Sequence, residues 1–432
     1  MRSMRSATTS TASCGDSDIS ETGIAAGTPA YRGLTLAMLF AGFSTFSLLY
    51  SVQPLLPLFA AQYQLTAEAA SLAVSLATGP LAIGILFAGF VSDRVGRRPL
   101  MIAAMFVAGA LTLAAAVVPG WSGLLVLRFL TGIALAGVPA VAMAYVAEEV
   151  DSGAVGAAMG LYIAGSALGG MAGRLVVSVV ADLEGWRWAL ASVGIAGLAM
   201  AEAFRRLSPP SRNFTPSVGR PGALLRSAGS LFTDRAMPLL YLEAFLLMGV
   251  FVTIYNYAGF RLMSPPYGLS QAAVGGVFLL YVLGSVSSAK FGTLAGRLGR
   301  RKVFWIPVVL LIAGVALTAM TPLVLVIAGI AVVTIGFFGA HSIASAWVGR
   351  RAQVAGGGGS RGQAAAFYLF FYYTGSSVLG SAGGFAWTHA GWPGVTAFCL
   401  LLGVAALVIG LVLRTVPPLM VEPPMPQRMP DP

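Results

Sequence analysis

The sequence predicts an all-α membrane protein, with twelve transmembrane helices in two six-helix pseudo-symmetric halves. Three observations carry that expectation. The 432-residue chain is 57% hydrophobic and only 9% charged, with a mean hydropathy of +0.84, whereas soluble domains are roughly one quarter charged. Apolar runs near the ~20 residues needed to cross a ~30 Å hydrocarbon layer recur from Leu34 to about Arg414. A short charged loop punctuated by glycine is stated twice, at 89–100 and at 292–302. An apolar chain that repeats such a loop is two copies of one membrane unit. Backbone groups in lipid must be satisfied within their own segment, so the runs are helices; the alternating ten-residue strands of a barrel are absent from the pattern.

The runs fall at 34–60, 69–91, 100–119, 122–147, 155–181 and 188–204, then at 237–262, 270–295, 303–321, 323–348, 363–388 and 394–413. The domain reading follows. Residues 1–32 are Ser/Thr/Ala/Gly-rich without an apolar core, as in a disordered cytoplasmic tail rather than a signal peptide. Residues 33–204 form the N-terminal half and 205–236 a Pro/Ser/Arg-rich cytoplasmic linker. Residues 237–414 form the C-terminal half, and 415–432 a second cytoplasmic tail. The 356–359 glycine run is a further flexible stretch, between runs ten and eleven.

Lysine and arginine set the orientation. Twenty-one of the 26 fall in the tails and in one set of loops, against two, Arg187 and Arg261, in the other; Arg128, Arg174 and Lys290 lie inside runs. That split puts both termini and the 89–100 loop in the cytoplasm. The net charge of +11 is therefore a topology signal facing anionic lipid, and nucleic acid is not an expected partner.

The duplication extends beyond the loops. Tyr50-Ser51-Val52-Gln53 matches Thr253-Ile254-Tyr255-Asn256, Leu65-Thr66 matches Leu269-Ser270, and Gly185-Trp186 matches Gly391-Trp392. Thr66 and Ser270 are suited to cap the helices that follow them. No phosphate-binding loop, metal-ligand cluster or nucleophile constellation is present in the sequence, so neither an enzyme nor an ATP-driven pump is expected. Cys14 and Cys399 offer neither a disulfide framework nor a metal spacing.

Charges inside the runs carry a functional expectation, because burying one in the bilayer costs at least ~2.5–3.5 kcal/mol. Glu243 stands six or seven residues into the seventh run, and Lys290 lies at similar depth in the eighth; the two exchange a proton, pair statically, or form a snorkelled pair at the interface. Arg128 and Arg174 either take part in function or snorkel to the nearer surface. His341 is a second proton candidate. Gly165, Gly169 and Gly173 have small-xxx-small spacing for close helix packing, and Trp186 and Trp188 are suited to anchor at the interface. The third, sixth, ninth and twelfth runs are nearly all apolar, as lipid-facing helices should be.

The first loop, Gly89, Asp93, Arg94, Gly96, Arg97 and Arg98, matches in full the pattern G-x-x-x-D-R-x-G-R-[RK]. Placed between the second and third of twelve runs, it resembles the first-loop motif of the major facilitator superfamily, and the resemblance covers about residues 33 to 414. Arg128 and Gly132 resemble the family's fourth-helix motif, with Thr131 where Gln is usual. The stretch Tyr50–Pro57 and the run Gly165–Arg174 resemble the bacterial drug:proton antiporter branch, in particular the arabinose-efflux-permease-like inner-membrane proteins. That second run departs from the branch pattern, with Gly170 in place of Pro and Arg174 in place of the last Gly.

The resemblance implies a multi-pass bacterial inner-membrane protein, monomeric, working by alternating access. It implies proton-coupled efflux of small apolar or amphipathic compounds, with the proton as coupling ion and no cofactor. Uptake or exchange of a polar metabolite, or a non-transporting membrane scaffold, are the alternatives. It further implies that Asp93 and the loop arginines latch one access state, with Asp93 near the start of the eleventh helix. Glu148 would partner Arg97 or Arg98, and Arg128 would join proton-coupled charge exchange. Spans one, seven, eight, ten and eleven would line the cavity, which places Tyr50, Gln53, Tyr255, Asn256, Tyr281, Tyr368, Tyr372, Tyr373 and His341 there. Gln53 and Asn256 stand out because they occupy matching positions in the repeat.

Overall fold

The computed structural model describes residues 23–214, 229, 231–356 and 358–417. Residues 1–22 of the tail expected over 1–32, residues 215–228 and 230 of the linker expected over 205–236, and residues 418–432 of the tail expected over 415–432 lie outside the described residues, as do the side chains of 355–361 around the glycine run. Residues 23–32 are structured rather than disordered, with Ile24 N donating to Glu149 O at 2.7 Å and the first helix starting at Pro29. Ten continuous helical runs are long and apolar enough to span a bilayer. They are α1 (Pro29–Tyr63), α2 (Ala67–Val95), α3 (Arg97–Val117), α4 (Trp121–Glu149), α5 (Val155–Glu184), α7 (Ala236–Met263), α8 (Gln271–Leu298), α9 (Arg300–Thr318), α10 (Leu323–Val354) and the run Gly362–Thr415. The last is two spans, because Gly391 breaks it with φ 59° and ψ −146°; α11 covers 362–390 and α12 covers 392–415. Trp186–Leu207, α6, completes the twelve and is more polar than the rest because Arg187, Glu202, Arg205 and Arg206 crowd its ends.

Local chemistry sets the boundaries twice over. The side chains of Thr66 and Ser270 accept from Ala69 N and Ala273 N at the starts of α2 and α8, as the matched sequence predicts. Gly96 and Gly299 both turn with positive φ, 98° and 92°, between the second and third helices of each half. Gly185 and Gly391 do the same, at 89° and 59°, before the last helix of each half. Only glycine adopts this conformation without steric cost, so these residues mark the shared unit.

Packing repeats in the same way. In the first half α1 lies against α5, α2 against α4, and α3 against α6; in the second, α7 lies against α11, α8 against α10, and α9 against α12. A Cβ at Gly165 or Gly169 would collide with the carbonyl oxygens of Leu39 and Phe43 on α1, and one at Gly375 with that of Phe245 on α7. Close backbone approach is what the small-residue spacing predicts. The halves meet along α2 with α11 and along α5 with α8.

Trp186 corrects one expectation. It is buried, bonds Gln62 through its indole N–H and packs on Phe59 and Tyr63, so it closes the end of the first half from within. Its counterpart Trp392 is also buried and donates to Thr318 O at 2.9 Å. Trp188 is 65% exposed, as an interface anchor would be.

Candidate functional site

The site is built where α1 breaks. Pro54 has no N–H to continue the ladder, and the helix gives way after Tyr50 to a 3₁₀ turn over Gln53–Leu55. Carbonyls at such a break need outside donors. Arg128, only 1% exposed, reaches across from α4 to supply them: Nη1 donates to Leu48 O at 3.0 Å, Nη2 to Leu49 O, and Nε to Ala73 O of α2 at 3.0 Å. It neither snorkels nor faces a carboxylate. These bonds cap the broken end of α1.

The break aims Tyr50 and Gln53 inward. Gln53 donates through Nε2 to Asn256 Oδ1 at 2.7 Å and accepts at Oε1 from Arg174 Nε at 2.6 Å. The second bond fixes the amide orientation, since only oxygen can accept from a guanidinium. The two residues picked out by the repeat therefore meet each other, one from each half. Arg174, 3% exposed, also donates to Gly170 O at 2.5 Å. Its Cζ lies 4.5 Å from the ring centre of Tyr50, 4.9 Å from Tyr281 and 5.2 Å from Phe278, within cation–π range.

Tyr255 packs behind this cage, 5.4 Å from Phe278 and 5.2 Å from Tyr281, with its hydroxyl 2.8 Å from Thr334 Oγ1. The ring of Tyr372 lies tilted against His341 with centroids 5.0 Å apart, and Tyr368 OH meets His341 Nδ1 at 3.0 Å. Tyr373 is buried beside Tyr372, with Tyr50 and Tyr162 as electrostatic neighbours. The expected cavity residues thus gather in one aromatic region. Tyr162 of α5, Phe278 and Thr334 belong to it and were not expected. An intramembrane tyrosine three residues before Gly165 was the available signal for Tyr162.

Hydrogen bonds between the halves gather beyond this region, at the end where α1 finishes and α2 begins. Gln271 donates to Pro54 O at 2.7 Å, Ser377 to Ser75 O at 2.9 Å, and the hydroxyls of Ser75 and Ser381 lie 2.6 Å apart. A void of only about 10 Å³ remains among Gln53, Pro54, Tyr255 and Phe278. That end is sealed.

Glu243 and Lys290 do not pair, which corrects the expected couple. Glu243 is fully buried on α7, and among the described residues neither carboxylate oxygen has a hydrogen-bond partner. Its surroundings include Gly410 of α12, with Tyr368 as an electrostatic neighbour. Lys290 is exposed and opens on a groove of about 350 Å³ with Thr293, Leu294 and Arg297. At 100° per residue, nine residues after Tyr281 is half a turn away from the site.

The first-loop residues form a network inside their own half. Arg97 bonds Asp93 at 2.6 Å, Glu148 at 3.0 Å, and Ser92 Oγ; Glu148 thus partners Arg97. Arg98 instead donates to Ser208 O and Arg205 O, at 3.0 and 2.6 Å. Gly89 accepts from Ser92 Oγ at 2.8 Å, and Arg94 is exposed. Among the described residues Asp93 bonds to Arg97 and not to the other half. The linker docks here as well: Glu149 accepts from Arg212 N and Asn213 N at 2.9 and 3.2 Å, and Phe214 lies 5.4 Å from Arg97 Cζ. At the matching place in the second half Gly296 removes the acid, and Arg351 pairs at 2.7 Å with Asp234, just before α7.

Two six-helix halves around a polar and aromatic centre within the membrane define a multi-pass transporter of small molecules, not an enzyme. Residues 36–360 match the family profile of the Major Facilitator Superfamily, and the chain belongs to that family. It is 44% identical over 384 residues to the inner membrane transport protein YnfM of Escherichia coli (strain K12), covering 89% of this chain and 91% of that one. It is 41% identical over 381 residues to the uncharacterized MFS-type transporter YybF of Bacillus subtilis (strain 168), covering 88% and 93%. Among solved structures, a D-xylose–proton symporter superposes with a TM-score of 0.71 at 15% identity, covering 90% of this chain and 98% of that chain, a likeness of fold.

Proposed function

We propose that the protein is a proton-coupled exporter of small apolar or amphipathic compounds. It acts as a monomer in the bacterial inner membrane, with both termini cytoplasmic and no resident cofactor. The 21-to-2 split of lysine and arginine supports that orientation, and the name of the relative YnfM supports the membrane. In that orientation the sealed end is periplasmic. Rocking of one half against the other would break the contacts of Gln53, Gln271 and Ser381 and open the far side.

The observation that carries proton coupling is Glu243. A carboxyl buried in the bilayer with neither oxygen bonded is costly to hold as a bare anion. It is therefore a place where a proton sits in one access state and leaves in another. His341, bonded to Tyr368 in the same region, is the second proton site. Asp93, Arg97 and Glu148 hold the cytoplasmic loop and would gate the transition.

The test is flux in proteoliposomes under an imposed proton gradient. Drug-driven release of protons from the lumen is the expected result, and Glu243→Gln should remove it while the variant still inserts and folds. Undiminished coupled flux in that variant rules Glu243 out as carrier. Flux of a sugar or organic acid that ignores the gradient would replace export with uptake or facilitated exchange.

A further inference from the structure

Arg174 has a feature that neither packing nor topology requires. It is a cation more than nine-tenths buried near the junction of the halves, and among the described residues no carboxylate is bonded to it. Its oxygen partners Gln53 Oε1 and Gly170 O are neutral. Three ring faces, from Tyr50, Phe278 and Tyr281, cover it instead. Nearby donors are also left over. Among the described residues, the hydroxyl of Tyr50 and the Nδ2 of Asn256 are buried without a hydrogen-bond partner. Unspent donors around an uncompensated cation suit a negatively charged oxygen group, and the rings suit an apolar body beside it.

We infer that Arg174 anchors the carboxylate of the transported compound, so that the substrate class is an amphipathic organic anion with an aromatic or other apolar body. A planar guanidinium offers parallel N–H groups to the two oxygens of a carboxylate. In the conformation described, Gln53 occupies Arg174 and ties it to Asn256 of the other half. A carboxylate arriving from the side opposite the seal competes with Gln53 Oε1 for the guanidinium and so loosens the bond that closes the far side. Binding and opening are then one exchange of hydrogen-bond partners. This assignment rests on the reading of the protein as an exporter, and it moves Arg174 from proton handling to substrate recognition.

The experiment uses matched probes and the full-length protein in detergent and in proteoliposomes. Benzoate and phenylacetate are compared with benzamide and phenylacetamide, which keep the ring and lose the charge. Binding is read as a ligand-dependent rise in Tm and flux as uptake of labelled probe. In the wild type the carboxylates should bind at least tenfold more tightly than the amides. Arg174→Gln should abolish that preference, and Arg174→Lys should retain part of it. The wild-type comparison needs no variant, so a folding defect in either variant does not decide the matter. Equal binding of acid and amide, no binding of either acid, or an unchanged preference in a well-folded Arg174→Gln protein would each overturn the inference. Coupled flux of uncharged amphiphiles without any of carboxylates would sink the anion assignment and leave the exporter standing. Absence of flux for every compound would remove both.

Discussion

Arg128 and Arg174 sit in one half of the molecule, 1% and 3% exposed, and their surroundings differ completely. Arg128 is bonded through three nitrogens to three backbone carbonyls, two of them at a helix break. Arg174 is bonded to one carbonyl and one side-chain amide and is otherwise covered by rings. Burial of a charge in a membrane marks a place worth its cost, but burial alone does not say what the place is for. Fixed partners on the main chain make a structural cap, while a partner on a side chain from a mobile junction can be exchanged.

Replacing Arg128 by Leu tests the structural side and should have the largest effect. Three charge-assisted hydrogen bonds at ~1.5–3 kcal/mol each would be lost, with the carbonyls of Leu48 and Leu49 left bare. The expected outcome is loss of most monodisperse protein on size-exclusion chromatography. Normal yield and Tm would show that the break at Tyr50 does not need the cap. Glu243→Gln tests a third buried polar group with no bonds to lose: proton-coupled flux should fall at least tenfold, with Tm little changed because a neutral amide replaces a protonated carboxyl of nearly the same shape. A large fall in Tm would instead place Glu243 with Arg128 among structural groups.

Asn256→Leu sharpens the comparison from the other side of the junction. It removes the cross-half bond to Gln53, worth about 0.5–1.5 kcal/mol, and should raise solvent access to a cysteine placed on the sealed side by several-fold. In a double-mutant cycle with Arg174→Gln the effects should be non-additive, because Gln53 links the two; strict additivity would separate them. Asp93→Asn should have the smallest effect on folding, since its one bond is to a partly exposed i,i+4 partner. Its expected signature is altered flux at unchanged topology, and unchanged flux would leave the first loop a topology signal alone.

The architecture was legible because it follows from few physical demands. Span length, the satisfied backbone and the arginine count fix twelve helices and their alternation, and the repeated glycines mark turns that no other residue makes cheaply. Gln53 and Asn256 were legible because duplication put them in register. Lys290 was misplaced because depth along a helix was read without its rotation, and half a turn separates it from Tyr281. The capping bonds of Arg128 were not foreseen although Pro54 announced a break in α1, since a break creates bare carbonyls that something must meet. The ring cage of Arg174 had no local signal: its rings come from α1 and α8, in different halves.

The contact between Gln53 and Asn256 has a geometric consequence. Residues equivalent under a two-fold relation can touch only on the axis itself, so this pair marks the pseudo-symmetry axis of the molecule. Displacement of either half away from the other lengthens the same vector, whichever half is taken as fixed. A label on each of these two positions would therefore report opening as one distance. The two side chains are nevertheless unequal in length and in bonding, since Gln53 is spent on both sides and Asn256 keeps a free Nδ2. Symmetry of the scaffold ends at its own axis, and from that point the two halves can do different chemistry.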